Sequence, residues 1–166
     1  MRLSGTIRVL CLLLCLLLCL TVAAWAQNVP AYSSQRVQRL AEAIAWAEGF
    51  GQKGSLPTRY HNPGDLKAPR GTRLPGQVGV GKGQHAIFKN DAAGWAALHR
   101  QIHLILVGRS KHFRLDMTLT QVGKRYAQNS AAWAQRVSKY LGVPPRTTLY
   151  NYLTFGGTYG ATVTVE

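Results

Sequence analysis

Carboxylates are scarce in this chain of 166 residues. Twenty lysines and arginines stand against six aspartates and glutamates, for a formal net charge of +14 at neutral pH. The carboxylates are Glu42, Glu48, Asp65, Asp91, Asp116 and Glu166. Any acid–base reaction that uses a carboxylate must draw on this small set, and a carboxylate cage for Ca²⁺ is not expected from so few.

Glu48 continues the apolar stripe of its own helix. Helical spacing extends from a cap at Ser33 or Ser34 to about Phe50. At roughly 100° per residue, Glu48 falls within about 40° of the apolar positions 37, 41 and 44. Held against apolar walls at a cleft edge, such a carboxyl keeps its proton near neutral pH and can act as a general acid. The other interpretation is a frayed last turn in which Glu48 reaches solvent or pairs with an arginine.

The histidines invite a metal interpretation. His99 and His103 are four residues apart on a predicted helix, as two zinc ligands would be. No glutamate follows His99, and His61, His85 or His112 would have to complete the site. We therefore expect solvent-facing histidines, no metal site and no cofactor.

The N-terminus has the pattern of a secretory signal peptide. Arg2 and Arg8 precede an apolar run over residues 9–23, and the small-x-small sequence Ala24-Trp25-Ala26 follows. The run is shorter than the roughly 20 residues that span a bilayer. We expect residues 1–26 to be removed and the mature protein to be secreted or periplasmic.

Signal-peptide removal changes the composition of the chain. It leaves residues 27–166, which is 140 of 166, with 18 basic and six acidic side chains and a net charge of +12. All three cysteines lie in the removed segment, which excludes disulfides and a cysteine nucleophile from the mature chain. A strongly basic exported protein suits an anionic partner, such as nucleic acid, anionic lipid or a polyanionic cell wall.

The mature chain is predicted to be α+β and mostly helical, in one domain over residues 27–166. Glycine and proline are concentrated over residues 51–85, where short strands are expected in a loop or hairpin lobe after the first core helix. Residues 155–166 are expected to be flexible or to form an edge strand. Further helices are predicted from Asn90 or Asp91 to about Val107, from Thr118, and from Ser130 to Gly142.

Several short motifs, in order, resemble a lysozyme-like family of peptidoglycan hydrolases from phage and bacteria, related to soluble lytic transglycosylases. That family has Glu-Gly, then Asn-Asn-Pro-Gly-Asn-Leu, a Phe-rich segment, a Gly-x-Ala-Leu helix, and Thr-Leu with Tyr-Ala. The resemblance covers about residues 36–149. The matching segments are Ala47-Glu48-Gly49-Phe50, His61-Asn62-Pro63-Gly64-Asp65-Leu66, Ala86-Ile87-Phe88, Gly94-Trp95-Ala96-Ala97-Leu98, Thr118-Leu119 and Tyr126-Ala127.

The resemblance implies a lysozyme-like fold. It also implies an enzyme that cuts the MurNAc–GlcNAc linkage, either a lytic transglycosylase or a muramidase. It makes Glu48 the general acid/base at a cleft between two lobes. It further implies that Tyr126 lines this cleft and that Asn62 binds sugar or braces Glu48. From the residues alone, Tyr126 is equally an ordinary half-buried aromatic, and Asn62-Pro63-Gly64 is equally a plain turn. Asp65 stands where the family usually has Asn, so its role stays open between a substrate-binding or second catalytic carboxylate and a turn residue.

Two other functional classes remain at this stage. One is a catalytically silent lysozyme-fold module that binds the cell wall, against which the retained Glu48 argues. The other is a nucleic-acid or membrane binder, which we rank last because the basic residues are not interleaved with aromatic ones. The expected partner is peptidoglycan, with no nucleic acid and no membrane insertion after signal removal, and we expect a monomer.

Overall fold

The computed structural model describes residues 32–68, 71 and 73–157. Within them, helices surround the main core and a small antiparallel hairpin follows the first helix, so the predicted α+β class is confirmed. The predicted signal peptide and the tail beyond residue 157 lie outside the described residues. The elements are α1 (Ser34–Glu48), α2 (Leu56–Arg59), β1 (Gln77–Val80), β2 (Ala86–Phe88), α3 (Asp91–Leu106), α4 (Leu119–Tyr126), α5 (Ser130–Leu141) and α6 (Leu149–Phe155).

The apolar face of α1 forms one wall of the helical core. Leu40, Ala41, Ile44 and Ala47 are buried there and pack against α3, α5 and α6. Small residues at 41 and 47 let the partner helices approach closely, and Trp133 from α5 fills the space with 1% of its surface exposed. The buried core therefore extends to the last turn of α1, where Glu48 lies.

The first helix ends two residues earlier than expected. Gly49 adopts a left-handed conformation (φ 80°), and the N–H groups of Gly49 and Phe50 bond to the carbonyls of Trp46 and Ala45. Glycine is favoured there because a Cβ is costly at positive φ. This cap makes Glu48 the last helical residue.

The hairpin lobe is small and has its own buried cluster. β1 and β2 pair antiparallel, with Gln77 opposite Phe88 and Val80 opposite Ala86. Phe88 is buried with Ala86, and both pack on Ala97 of α3. The predicted strands at 78–80 and 86–88 are thus confirmed, with β1 one residue longer.

The caps of the later helices mostly agree with the sequence. Asn90 caps α3 by accepting from the Ala93 N–H, and Thr118 caps α4 in a reciprocal capping box with Gln121. For α5 the cap is Asn129, one residue before the predicted Ser130. The sequence analysis missed α2 and α6, which span only four and seven residues. Helices this short show little periodicity.

Gly94 lets α3 pass directly beside the loop that follows α2. A Cβ at this position would overlap the carbonyl oxygen of His61 and lie 2.7 Å from Pro63 Cδ. The Gly-x-Ala-Leu segment therefore reflects a close approach between a helix and a loop backbone.

Gly94→Ala should destabilise the fold although alanine is the better helix former. The added methyl cannot be accommodated without moving the loop, so we expect the free energy of unfolding to fall by about 2 kcal/mol or more. Urea denaturation would measure the change, with exposed Ala96→Ser on the same helix as the control. Equal stability of Gly94→Ala and the wild type would contradict the close approach.

Candidate functional site

Glu48 lies at the end of α1 with its carboxylate held by an indole. Trp133 Nε1 donates a hydrogen bond of 2.6 Å to Glu48 Oε1. The Glu48 residue as a whole is half-buried, and the bond from Trp133 holds its carboxyl.

The elements around Glu48 are fixed by packing and backbone bonds. Trp133 is carried by α5 and stacks on Tyr126 of α4, with ring centroids 5.0 Å apart and 24° between the planes. Arg136, one turn further along α5, donates from Nε to the Ala47 carbonyl at 3.1 Å. That bond satisfies a carbonyl at the C-terminal end of α1 and locks α5 to it.

Burial is the main influence on the acidity of Glu48. The pKa of Glu48 is raised from 4.5 to about 7, and desolvation by burial is the largest cause. The hydrogen bond from Trp133 opposes this rise, the charge of Asp65 adds to it and the charge of Arg136 opposes it. Glu48 is therefore divided between its acid and its anionic form near neutral pH, which is where a general acid/base works best.

Tyr126 ties α4 to the turn that follows α2. Its hydroxyl donates a 2.6 Å hydrogen bond to the Gly64 carbonyl. Burial, together with the nearby Glu48 and Asp65 carboxylates, raises the pKa of Tyr126 well above its usual value, so the hydroxyl remains a donor. Tyr126 also lines a cavity, while its hydroxyl is bonded within the protein.

Asn62 is fully enclosed. Its Nδ2 donates to the carbonyls of Leu66 and Ala86 at 2.9 and 3.0 Å, and its Oδ1 accepts from the Leu66 N–H at 2.8 Å. None of its surface is exposed, so its side chain does not reach a ligand in this structure. Of the roles that the sequence left open for Asn62, these bonds support the one in the turn, so we assign it a positioning role there in place of a sugar contact.

Asp65 follows that turn in a left-handed conformation, with φ 46°. Asn and Asp are enriched in this region among non-glycine residues, which explains how Asp fits where the resembling family has Asn. Its side chain is 23% exposed and lines the cavity. Asp65 is thus both a turn residue and a carboxylate available to a ligand.

A histidine stands beside Asp65. His85 Nδ1 lies 2.8 Å from Asp65 Oδ1 and 2.9 Å from the Asp65 carbonyl oxygen. A carbonyl only accepts, so Nδ1 carries a proton, and its alignment with the carbonyl leaves Oδ1 without a well-directed donor. Burial raises the pKa of Asp65, while His85 and Lys67 oppose that rise.

The cavity next to this carboxylate has a volume of about 730 Å³. Asp65 and Tyr126 lie in its wall, as do apolar side chains including Leu74 and Phe113. Glu48 is not one of its lining residues, but it interacts electrostatically with both Asp65 and Tyr126. The candidate site therefore consists of the Glu48–Trp133 pair and the adjoining cavity.

The paired histidines of α3 are separate from this site. His99 packs beside the Trp95 ring at 6.3 Å between centroids, and His103 is exposed. Within the ranges that the structure describes, no group of three or more His, Cys, Asp or Glu side chains is arranged to hold a metal ion.

The same ranges contain no helix with the length and apolar character needed to span a bilayer.

The sequence analysis missed Trp133 and Arg136, and it considered His85 only as a possible metal ligand. Nothing in the local pattern of Trp133 indicated that its N–H meets a carboxylate 85 positions earlier in the chain.

Comparison with known proteins found no family model, curated protein or solved structure that matches this chain.

Glu48→Gln should stabilise the protein above neutral pH. Well below pH 4.5 the Glu48 carboxyl is protonated in both the folded and the unfolded protein, so its ionisation costs the folded state nothing and the substitution has no cost to remove. Between pH 4.5 and 7 the Glu48 carboxyl ionises in the unfolded protein but stays protonated in the folded one. The free energy of unfolding of the wild type therefore falls over this range, by about 3 kcal/mol in total, and the loss is constant above it. We expect the variant to gain most of that amount at pH 8 and almost nothing at pH 4.

Urea denaturation of both proteins at the two pH values tests this dependence. Glu42→Gln, on the same helix but away from Trp133, is the matched control and should show no comparable gain. A stability difference between Glu48→Gln and the wild type that is the same at pH 4 and pH 8 would contradict a raised pKa.

Proposed function

We propose that this protein is an exported peptidoglycan-cleaving glycosidase with Glu48 as its general acid/base. The observation that carries the proposal is the half-buried Glu48 beside a cavity of about 730 Å³. Its carboxyl accepts a hydrogen bond from Trp133 and has a pKa of about 7. Cleavage of a glycosidic bond requires an acid that protonates the leaving oxygen, and a carboxyl with this pKa can then accept a proton in the next step.

The lysozyme-like fold is part of the same proposal. A helical core whose first helix ends in the acid, followed by a loop and hairpin lobe, is the arrangement that the resemblance implies. The turn at Asn62–Gly64 and the close approach at Gly94 give its motifs a physical role. These features support the proposal through geometry and through the order of the motifs.

Glu48 serves two related reactions in this proposal. After the leaving oxygen is protonated, the muramyl 6-hydroxyl attacks and leaves an anhydro end, or water attacks and leaves a reducing end. The first route needs one carboxyl that acts as acid and then as base. The second generally uses a second carboxylate, and Asp65 is the one that lines the adjoining cavity.

Export and charge agree with this substrate. The predicted signal peptide would place the protein outside the cytoplasm, and the mature charge of +12, from 18 basic and six acidic side chains, favours a polyanionic wall. We expect wall binding to weaken as salt is added, since screening acts on exposed charges.

Glu48→Gln should lower the rate of peptidoglycan cleavage by about 10²- to 10⁴-fold, the usual contribution of a general acid. The measurement is a digest of purified peptidoglycan by wild type, Glu48→Gln and the control Glu42→Gln, with products identified by mass. The wild type and Glu42→Gln should release the same fragments at similar rates.

The products of this digest decide the route. Anhydromuramyl ends indicate a lytic transglycosylase, whereas reducing ends indicate a hydrolase in which Asp65→Asn should also slow cleavage. Undiminished cleavage by Glu48→Gln would contradict its role. Salt-sensitive wall binding without cleavage by the wild type would identify a wall-binding module in place of an enzyme.

A further inference from the structure

Three cationic side chains converge on the cavity from separate parts of the fold. Lys67 follows the turn and pairs through its backbone with His85, Arg100 is on α3 and Arg125 is on α4. All three line the same space of about 730 Å³, and all three side chains are exposed. The three charges together give the cavity a positive field to which separate parts of the chain contribute.

The exposed carboxylates of the described chain have partners away from this wall. Asp91 Oδ1 lies 2.6 Å from His61 Nδ1, and Asp116 accepts from Arg114 Nε at 3.0 Å. Neither carboxylate lines the cavity.

The two glutamates of α1 are engaged as well. Glu42 accepts from the Tyr140 hydroxyl at 3.2 Å, and Glu48 accepts from Trp133. Among the described residues, Asp65 is the one carboxylate that lines the cavity, and its direct neighbour is His85. Three cations and one carboxylate thus line the cavity, which leaves net positive charge for an external anion.

The arginines are suited to carboxylate recognition. Arg125 donates from Nη1 to the His112 carbonyl, which anchors one edge of its guanidinium at the cavity rim. A planar guanidinium binds carboxylates through two parallel N–H bonds, and anchoring lowers the entropy lost on binding. Apolar residues of the same cavity, including Leu74, Ala97 and Phe113, can cover the aliphatic part of a ligand.

We infer that this cavity binds the acidic peptide attached to the glycan, with Lys67, Arg100 and Arg125 contacting its carboxylates. The inference rests on the proposed function, because it places the peptide beside the sugar whose linkage is cut at Glu48. Peptidoglycan carries its carboxylates on the peptide substituents, so these groups are the anions that the substrate offers to the cations lining the cavity. The protein would then prefer peptide-bearing glycan to naked glycan.

The test measures binding separately from cleavage. Glu48→Gln protein is titrated calorimetrically with a disaccharide–tetrapeptide released from peptidoglycan, with the same compound after its carboxylates are amidated, and with glycerol phosphate. We expect the amidated compound to bind about tenfold more weakly or worse, and glycerol phosphate to bind weakly.

Charge-removing substitutions then locate the site. In the Glu48→Gln background, Arg100→Gln and Arg125→Gln should each weaken binding of the tetrapeptide compound by about five- to tenfold, because each loses a charge-assisted contact. Arg109→Gln removes the same charge from an exposed position outside the cavity and should leave affinity within about twofold. Circular dichroism on all variants establishes that they are folded.

The outcomes separate the inference from the proposed function. Equal affinity for the native and amidated compounds, equal loss in Arg109→Gln, or stronger binding of glycerol phosphate would overturn the peptide assignment. If wild type still cleaves peptidoglycan in that case, the proposed function stands alone. Carboxylate-dependent binding without any cleavage would instead overturn the proposed function and retain an acidic-peptide site.

Discussion

The hydrogen bond from Trp133 Nε1 to Glu48 Oε1 is the interaction on which the rest of the site depends. It joins the last residue of α1 to a tryptophan with 1% of its surface exposed, over 2.6 Å. The bond favours the ionised carboxyl, whereas burial disfavours it more strongly, and the balance puts the pKa of Glu48 at about 7. The same packing that raises the pKa also removes freedom of movement from the carboxyl, so position and acidity have one structural origin.

The turn after α2 is held from three sides, which explains why Asp65 keeps its place beside this acid. The Asn62 side chain bonds backbone groups of the turn and of β2, and the Tyr126 hydroxyl donates to the Gly64 carbonyl. The absence of a side chain at Gly94 lets α3 pack directly against the loop. The residues that look most like ligand contacts in the sequence are therefore partly internal braces. The side chains left to line the cavity include the Asp65 carboxylate and the cations of Lys67, Arg100 and Arg125.

Much of the fold could be predicted from local patterns, and the contacts of the site could not. Helical spacing, capping residues and the glycine-rich segment predicted α1, α3, α4, α5 and the hairpin, because these signals are local. Glu48 was identified because it continues an apolar stripe. The partnership with Trp133 spans 85 positions and the Asp65–His85 contact spans 20, so both depend on tertiary packing that no spacing encodes. The burial of Asn62 was missed for the same reason.

The most direct test of this account is a titration of the Glu48 side-chain carboxyl by ¹³C NMR, with Glu48→Gln used to assign the resonance. The account predicts a midpoint of about pH 7, well above the ordinary value of 4.5. It also predicts a higher midpoint in Trp133→Phe, because that variant loses the donor that favours the anion. A wild-type midpoint near 4.5 would show a solvated carboxylate and would contradict the claim that Glu48 is held as an acid at neutral pH.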